Sequence, residues 1–371
     1  SVFAAAFDAM NASRAKVVSA DIASGVEADT GRILGRAVRA DRTVTFTFPK
    51  IGQAVGDGAV YSGDVTVWNI GIPADLTKSL VSPVQTVEPD FVRWALPPRK
   101  IDGHKGTFGK LLIVGGAVGY TGAPYLTALA AVRSGCGLVS LGVPEVIWPV
   151  EAAKCVSAMP FPLPDKDGVL SDKALQKILD KLKDCQVLAL GPGLDRSQRT
   201  GRLVRELLAQ TDKPVVLDAD GINALAGHID VLNGRRGRVT ILTPHDGEFA
   251  RIYDGPEELG RAGEARAFAR AHGCVLVRKG HRTLTALPEG NVLVNTTGNS
   301  GLAKGGSGDA LSGMLLALLG QGAEPYAAAC AAVWLHGCAG DRAAQELGEV
   351  SMLPSDLIRQ IAAVVMGLQG R

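Results

Sequence analysis

The chain has 371 residues, enough for two domains or for one large α/β domain with additions. Its 39 basic and 37 acidic residues leave a net charge of +2, which argues against a general nucleic-acid footprint. No apolar run reaches the roughly 18 residues of a membrane span, and no basic flank precedes an apolar core at the start. A cytoplasmic protein with no membrane partner is expected. The six cysteines show neither a CxxC pair nor zinc-ligand spacing. They read as small buried hydrophobes.

In chain order, residues 1–13 are Ala-rich and helical in pattern. Lys16 to Ile22 is a buried strand ending near an acid, Asp21. A turn-rich loop runs from Ala23 to Gly31. Arg42 to Phe48 and Asp64 to Ile70 read as strands, and Gly52, Gly56, Gly58 and Gly63 mark loops between them. Three strands with at most one helix make too small a core for a comfortable independent domain. This piece either leans on the rest of the chain or is a truncated segment. Residues 77–102 carry Pro83, Pro89, Pro97 and Pro98 and read as a linker with one short helix near Pro89 to Leu96. From Gly103 the pattern becomes strand, loop, helix, repeated. Strands are expected at Lys110–Val114, Leu138–Val143, Val187–Leu190, Val215–Leu217, Val239–Leu242 and Cys274–Val277, with a hairpin over Arg282–Asn295. Helices are expected over about 124–134, 197–210, 257–272, 309–319, 325–346 and 355–368. Such alternation builds an α/β fold with a mostly parallel sheet covered on both faces. Ligands then bind beyond the carboxyl ends of the strands.

The polar and glycine-rich segments fall at those ends. Gly115 to Pro124 resembles GxGxxG loosely and lacks the acid of a Rossmann ribose contact. It is either a close-approach loop or a tight βα turn. Gly191-Pro192-Gly193-Leu194 offers backbone alone. Asp218-Ala219-Asp220 suits magnesium, a ribose hydroxyl or plain helix capping. In Thr243-Pro244-His245, the histidine could meet a substrate hydroxyl, or Asp246 could simply cap the next helix. Lys279 to Thr283 could hold a nucleotide phosphate or be a basic hairpin loop. No Walker pattern exists, so the phosphate cradle of a nucleotide site would be Lys304 to Asp309. There Gly305, Gly306 and Gly308 let backbone N–H groups crowd an anion at a helix start. A carboxylate beside phosphate is costly, so Asp309 reads as a base on the group being phosphorylated. The competing reading is a simple N-cap.

Taken together, Lys105-Gly106 with Gly109-Lys110, the Gly115 to Pro124 loop, Gly191 to Leu194, Asp218 to Asp220, Thr243 to His245 with Glu248, Lys279-Gly280 with Thr283, and Asn299 to Asp309 resemble the ribokinase-like superfamily. Within it they resemble the ADP/ATP-dependent NAD(P)H-hydrate dehydratases, over about residues 90–368. The resemblance implies a ribokinase-like sheet over 103–371 and a hydro-lyase. Phosphorylation of the hydrate's ring hydroxyl by ADP or ATP, with magnesium of unassigned ligands, would precede elimination to NAD(P)H. By matching position, Asp309 is the base. Ala123, Gly193, His245 and Asp309 would bind the hydrate. Lys279, Gly280, His281, Arg282, Thr283, Gly305, Gly306 and Gly308 would bind the nucleotide and its phosphates. A homo-oligomer and ADP as the preferred donor are expected.

Residues 1–76 resemble the C-terminal end of an NAD(P)H-hydrate epimerase domain, through Asp21 to Val26, Asp29-Thr30-Gly31, Thr45 to Gly52 and Gly71-Ile72-Pro73. That resemblance gives Asp21 a substrate contact and Ser24 a potassium contact. The family usually has proline where Ala23 stands, and its N-terminal glycine/asparagine-rich loop and catalytic acid have no counterpart. No epimerase activity is therefore expected. A ribokinase-like kinase of the hydroxymethylpyrimidine or thiazole type, or a non-catalytic nucleotide-binding protein, are the alternatives.

Overall fold

Continuous runs such as Lys110–Val114 bury side chains on both sides. Leu111 and Ile113 face one hydrophobic cluster, while Leu112 and Val114 face another. That pattern demands helices on both faces of a sheet. The computed structural model describes residues 2–370. Among them, ten strands form the main sheet, labelled here β1 (Val84–Thr86), β2 (Lys110–Val114), β3 (Leu138–Pro144), β4 (Met159–Leu163), β5 (Val187–Leu190), β6 (Val215–Leu217), β7 (Thr240–Leu242), β8 (Val275–Arg278), β9 (Leu284–Ala286) and β10 (Val292–Val294). Their spatial order is β1-β10-β9-β8-β7-β6-β5-β2-β3-β4. Strands β2 to β8 run parallel. The hairpin pairs β9 antiparallel to both neighbours.

Chain order reverses between β2 and β5, so the crevice of this sheet lies beyond their carboxyl ends. Over this point pack helices Gly122–Arg133, Ser307–Gly320, Pro325–Leu347 and Pro354–Leu368, all in one cluster. The opposite face is covered by Ala174–Leu182, Gln198–Gln210 and Gly260–His272. Helix Ser307–Gly320 is buried along most of its length. Its close approach to Gly122–Arg133 requires Gly313, because a Cβ there would run into the Thr127 carbonyl and sit 2.9 Å from the Ala130 Cβ.

Residues 2–76 form a three-stranded parallel sheet of Val18–Ala20, Arg42–Phe46 and Asp64–Trp68. Two glycine-marked loops of the sequence reading are short helices instead, Ile51–Ala54 and Gly56–Tyr61. Gly52 and Gly58 serve close packing rather than turning: a Cβ on either would come within 2.9 Å of the Gly31 backbone. The segment expected as a linker contains the helix Pro89–Ala95 but also β1, which pairs with β10. Val87, Val92 and Ala95 belong to the main core. Prolines 83 and 89 flank β1 and hide so short a strand. Proline-bearing β4 is likewise at an edge, where a missing N–H is tolerated. All six cysteines are free thiols. No helix of the described residues is long and apolar enough to cross a membrane.

Candidate active site

The loops that leave β2, β5, β6, β7 and β8 meet at one edge of the sheet, opposite the start of helix Ser307–Gly320. Gly306 begins that helix with φ +100, a left-handed conformation that glycine adopts without penalty. A Cβ on Gly306 would come within 2.6 Å of Leu126 in helix Gly122–Arg133. Gly305 faces open space. The glycine run thus lies between the helix bearing Ala123 and the cleft. The Ser307 carbonyl is held 2.9 Å from Nε2 of buried His336, whose pKa burial pulls down to about 4, so the ring is neutral.

Asp309 lies in the first turn of this helix, half-buried. Burial, with the negative charge of Asp218 next in weight, pushes its pKa up to about 7; Lys279 opposes the rise, and Glu248 and Asp220 add to it. Among the described residues, no group donates a hydrogen bond to the Asp309 carboxylate. Lys279 Nζ sits 2.8 Å from Asp218 Oδ1 and 3.9 Å from Glu248 Oε2. Burial alone would discharge the lysine, but the carboxylates around it raise its pKa, so it stays an ammonium. A Cβ on Gly308 would lie 3.1 Å from that ammonium, which explains the glycine. Asp218 is itself fully engaged, accepting from Thr243 Oγ1 at 2.8 Å and from Ser312 Oγ at 2.7 Å as well. The site is therefore a buried cation, Lys279, bracketed by carboxylates, with one carboxylate, Asp309, held near neutrality.

His245 is the N-cap of the short helix Asp246–Phe249. Its Nδ1 accepts from Glu248 N at 3.2 Å, and its own N–H donates to Glu248 Oε2 at 2.9 Å. The alternative in which Asp246 caps this helix is not the one adopted, because Asp246 instead pairs with Arg278 at 2.8 Å and Arg261 at 3.3 Å. The imidazole remains half exposed at the cleft. A parallel bridge joins His245 to Lys279. Gly193 has φ +67, and a Cβ on it would lie 2.8 Å from the Tyr120 carbonyl and 3.5 Å from the Ala123 Cβ. Ala123 and Gly193 thus lie together, and His245, Lys279, Gly308 and Asp309 make up a second group of neighbours.

Lys304 does not join the cradle. Its Nζ donates to the carbonyls of Val350 and Met352, each at 2.6 Å, and ties down the turn before helix Pro354–Leu368. In the loop after β8, Arg282 Nη1 donates to the Thr296 carbonyl at 3.2 Å, and Thr283 Oγ1 to the Gly280 carbonyl at 3.1 Å. His281 is exposed, with its pKa lowered by partial burial and by Arg282 and Arg261. Asp218, Ser312, Glu248 and Arg261 complete the site. The sequence reading leaves Asp218 and Glu248 as motif members without a settled role and passes over Ser312 and Arg261. The strand-end position of Asp218 was a signal; Ser312 and Arg261 carried none.

In residues 2–76, Asp21 has φ +65 and accepts from Phe46 N at 3.0 Å and Thr45 Oγ1 at 3.2 Å. The Lys50 ammonium also contacts it and holds its pKa below the ordinary value. Ser24 is exposed. Lys50 Nζ also reaches the carbonyls of Phe46 and Phe48, so this oxygen set already surrounds a cation of the protein itself.

A family profile described as NAD(P)H-hydrate dehydratase matches residues 111–363. The chain belongs to the NAD(P)H-hydrate dehydratase family. A second profile, YjeF-related protein N-terminus, matches residues 1–52. The bifunctional NAD(P)H-hydrate repair enzyme Nnr of Moorella thermoacetica is 41% identical over 370 residues, covering 99% of this chain and 70% of that one. The Escherichia coli enzyme of the same name is 33% identical over 362 residues, covering 96% of this chain and 67% of that one. Among solved structures, the ADP/ATP-dependent NAD(P)H-hydrate dehydratase of Bacillus subtilis, co-crystallised with ATP and Mg2+, is 30% identical with a TM-score of 0.64, over 78% of this chain and 100% of that one. A ribokinase-like superfamily protein of Enterococcus faecalis, 23% identical with a TM-score of 0.65 over 78% of this chain and 98% of that one, shares the fold. This dehydratase therefore has a ribokinase-like sheet, as its sequence leads one to expect.

Proposed function

We propose that this dehydratase restores NAD(P)H from its 6-hydroxy hydrate at the cleft between β2, β5 and helix Ser307–Gly320, with Asp309 as the base. The carrying observation is the pairing of Asp309, raised to about 7, with the glycine-flanked helix start and the buried Lys279 ammonium. Asp309 takes the proton from the ring hydroxyl as its oxygen attacks the terminal phosphorus of ADP or ATP. The P–O bond to the nucleotide breaks, and AMP or ADP departs. The electron pair of the ring nitrogen expels inorganic phosphate from ring carbon 6. Loss of a proton from the neighbouring ring carbon to water or the departing phosphate then forms the ring double bond of NAD(P)H and returns the pair to nitrogen. Gly306 and Gly308 N–H groups and Lys279 offset negative charge developing on the phosphoryl group. Ala123, Gly193 and His245 bind the hydrate, while Lys279 to Thr283, Gly305, Gly306 and Gly308 hold the nucleotide. ADP is the expected donor.

Magnesium fits best as an ion carried on the nucleotide. Asp218 already accepts from Lys279, Thr243 and Ser312, and Asp220 accepts from Arg196, Asn223 and the Asp195 N–H. Among the described residues, no three His, Cys, Asp or Glu side chains are grouped to hold a metal. Magnesium takes phosphate and water ligands readily and needs no protein cage. Bound there, it supplies charge neutralisation for the phosphates. Asp21 and Ser24 stand as epimerase substrate and potassium residues on resemblance, and an incoming ligand would have to displace Lys50 from Asp21. A cytoplasmic homo-oligomer goes with the same reading.

The test incubates NADH hydrate with the protein and ADP, or ATP, and follows both the dihydronicotinamide absorbance and free phosphate. Their equal release supports the proposal. A stable phosphorylated hydrate without NADH would assign a kinase instead.

A further inference from the structure

The loop after β8 is held by a residue that lies outside the cleft motifs. Arg261 sits one residue into helix Gly260–His272, with its side chain only 12% exposed. Its Nη1 donates to the carbonyls of His281 at 3.0 Å and Arg282 at 3.1 Å, and its Nη2 to those of Lys279 at 2.7 Å and Arg278 at 3.4 Å. One guanidinium thus collects three carbonyls of the loop and the last carbonyl of β8. The loop needs such a holder. Gly280 has φ +150 and Arg282 φ +58, and a non-glycine residue with positive φ is costly unless its surroundings impose it. Glycine suits position 280 because its φ would strain any other side chain, and a Cβ there would also displace the Arg261 guanidinium.

The guanidinium is in turn oriented by Asp246, whose Oδ1 lies 3.3 Å from its Nε, and the Arg261 backbone is anchored by its carbonyl, which accepts from Arg278 Nη1 at 3.1 Å. Asp246 comes directly after His245, so the clamp also connects to the loop after β7. These bonds anchor the residues that follow β8 on the helix Gly260–His272.

We infer that Arg261 is a positioning residue for the adenine nucleotide: it preorganises residues 279–282, and its loss weakens nucleotide binding without weakening hydrate binding. The inference rests on the assignment of residues 279–283 to the nucleotide. A loop that populates its binding conformation only part of the time binds more weakly by that fraction. The hydrate residues Ala123 and Gly193 take no part in the clamp, and His245, although next to Asp246, is held by its own bonds to Glu248 rather than by Arg261.

The experiment measures ADP affinity by calorimetry, the hydrate KM and the melting temperature for the wild type, Arg261→Met and Arg261→Lys. The Met variant is expected to bind ADP about tenfold more weakly, with the hydrate KM held within about twofold. The Lys variant should fall between, since an ammonium reaches fewer carbonyls than a planar fork. A folded Met variant with wild-type ADP affinity, or an equal loss for both ligands, overturns the inference. Should Arg261→Met fail to fold, the same ratio read on Arg261→Lys decides it. A wild type that binds no ADP would strike instead at the nucleotide assignment.

Discussion

At the scale of the residue, Asp309 carries two consequences of one burial. A base must be ionised to act, so kcat/KM should climb with pH through about 7, where Asp309 loses its proton, and level above it. Asp309→Asn should keep ADP affinity and lower turnover by about 10²–10⁴-fold, the span typical of a general base. The same shift fixes a stability trend. The folded protein holds this proton more tightly than the unfolded chain, in which the carboxyl titrates near its ordinary 3.8. Its contribution to stability is complete below that value and is lost as pH rises through about 7. The melting temperature of Asp309→Asn relative to wild type should therefore increase between pH 4 and pH 8. A constant difference across that range would show that folding does not raise this pKa. That Asp309 is an acid at a glycine-flanked helix start was legible in Gly305 to Asp309 alone. That it is near neutrality was not, because Asp218, Lys279 and Glu248 reach it from loops after three different strands.

At the scale of the element, helix Ser307–Gly320 positions the chemistry by how closely it lies on Gly122–Arg133. Gly313 sets that distance. Gly313→Ala would push a methyl group into the Thr127 carbonyl and toward Ala130. Overpacking of this kind costs about 1–3 kcal/mol, readable as a lower denaturant midpoint. Displacement of the helix should also raise the hydrate KM, because Ala123 lies at the start of the helix it pushes against. A Gly313→Ala protein with an unchanged midpoint would mean that the two helices are not closely packed. Both helices could be anticipated from apolar patterning, with Pro124 and the Gly305 to Gly308 run marking their starts. The short helices Ile51–Ala54 and Gly56–Tyr61 could not, since Gly52 and Gly58 look like turn residues until the backbone they must approach is known.

At the scale of the whole molecule, residues 2–76 are docked on the dehydratase rather than beside it. Val55 is fully buried in the same cluster as Phe249 and Ala265, with Ile51 and Ala54 packed against it. At the helix that carries Arg261, a Cβ on Gly260 would lie 2.8 Å from the Thr30 Cβ. Val55→Ala removes two buried methyl groups and should cost about 2 kcal/mol. If the two parts share one core, that loss should appear as a single shifted unfolding transition. Two separable transitions, with only the smaller one shifted, would show that residues 2–76 fold on their own.

What the amino-acid order determined by itself is local. Alternation of buried strands and helices, the glycines and acids at strand ends, and the family to which they point all rest on propensities and spacings within a few residues. Only the tertiary structure decided which charges meet. Lys279 pairs with Asp218 across 61 positions, and Ser312 reaches the same carboxylate across 94. Lys304 turns away from the cleft to Val350 and Met352, and Arg261, outside the cleft motifs, closes on the loop after β8. Burial and Coulomb energy depend on distances in space, which no local spacing encodes. The glycines before Asp309 were written in the sequence, and the fold set the pKa of about 7 on which its proposed role as a base depends.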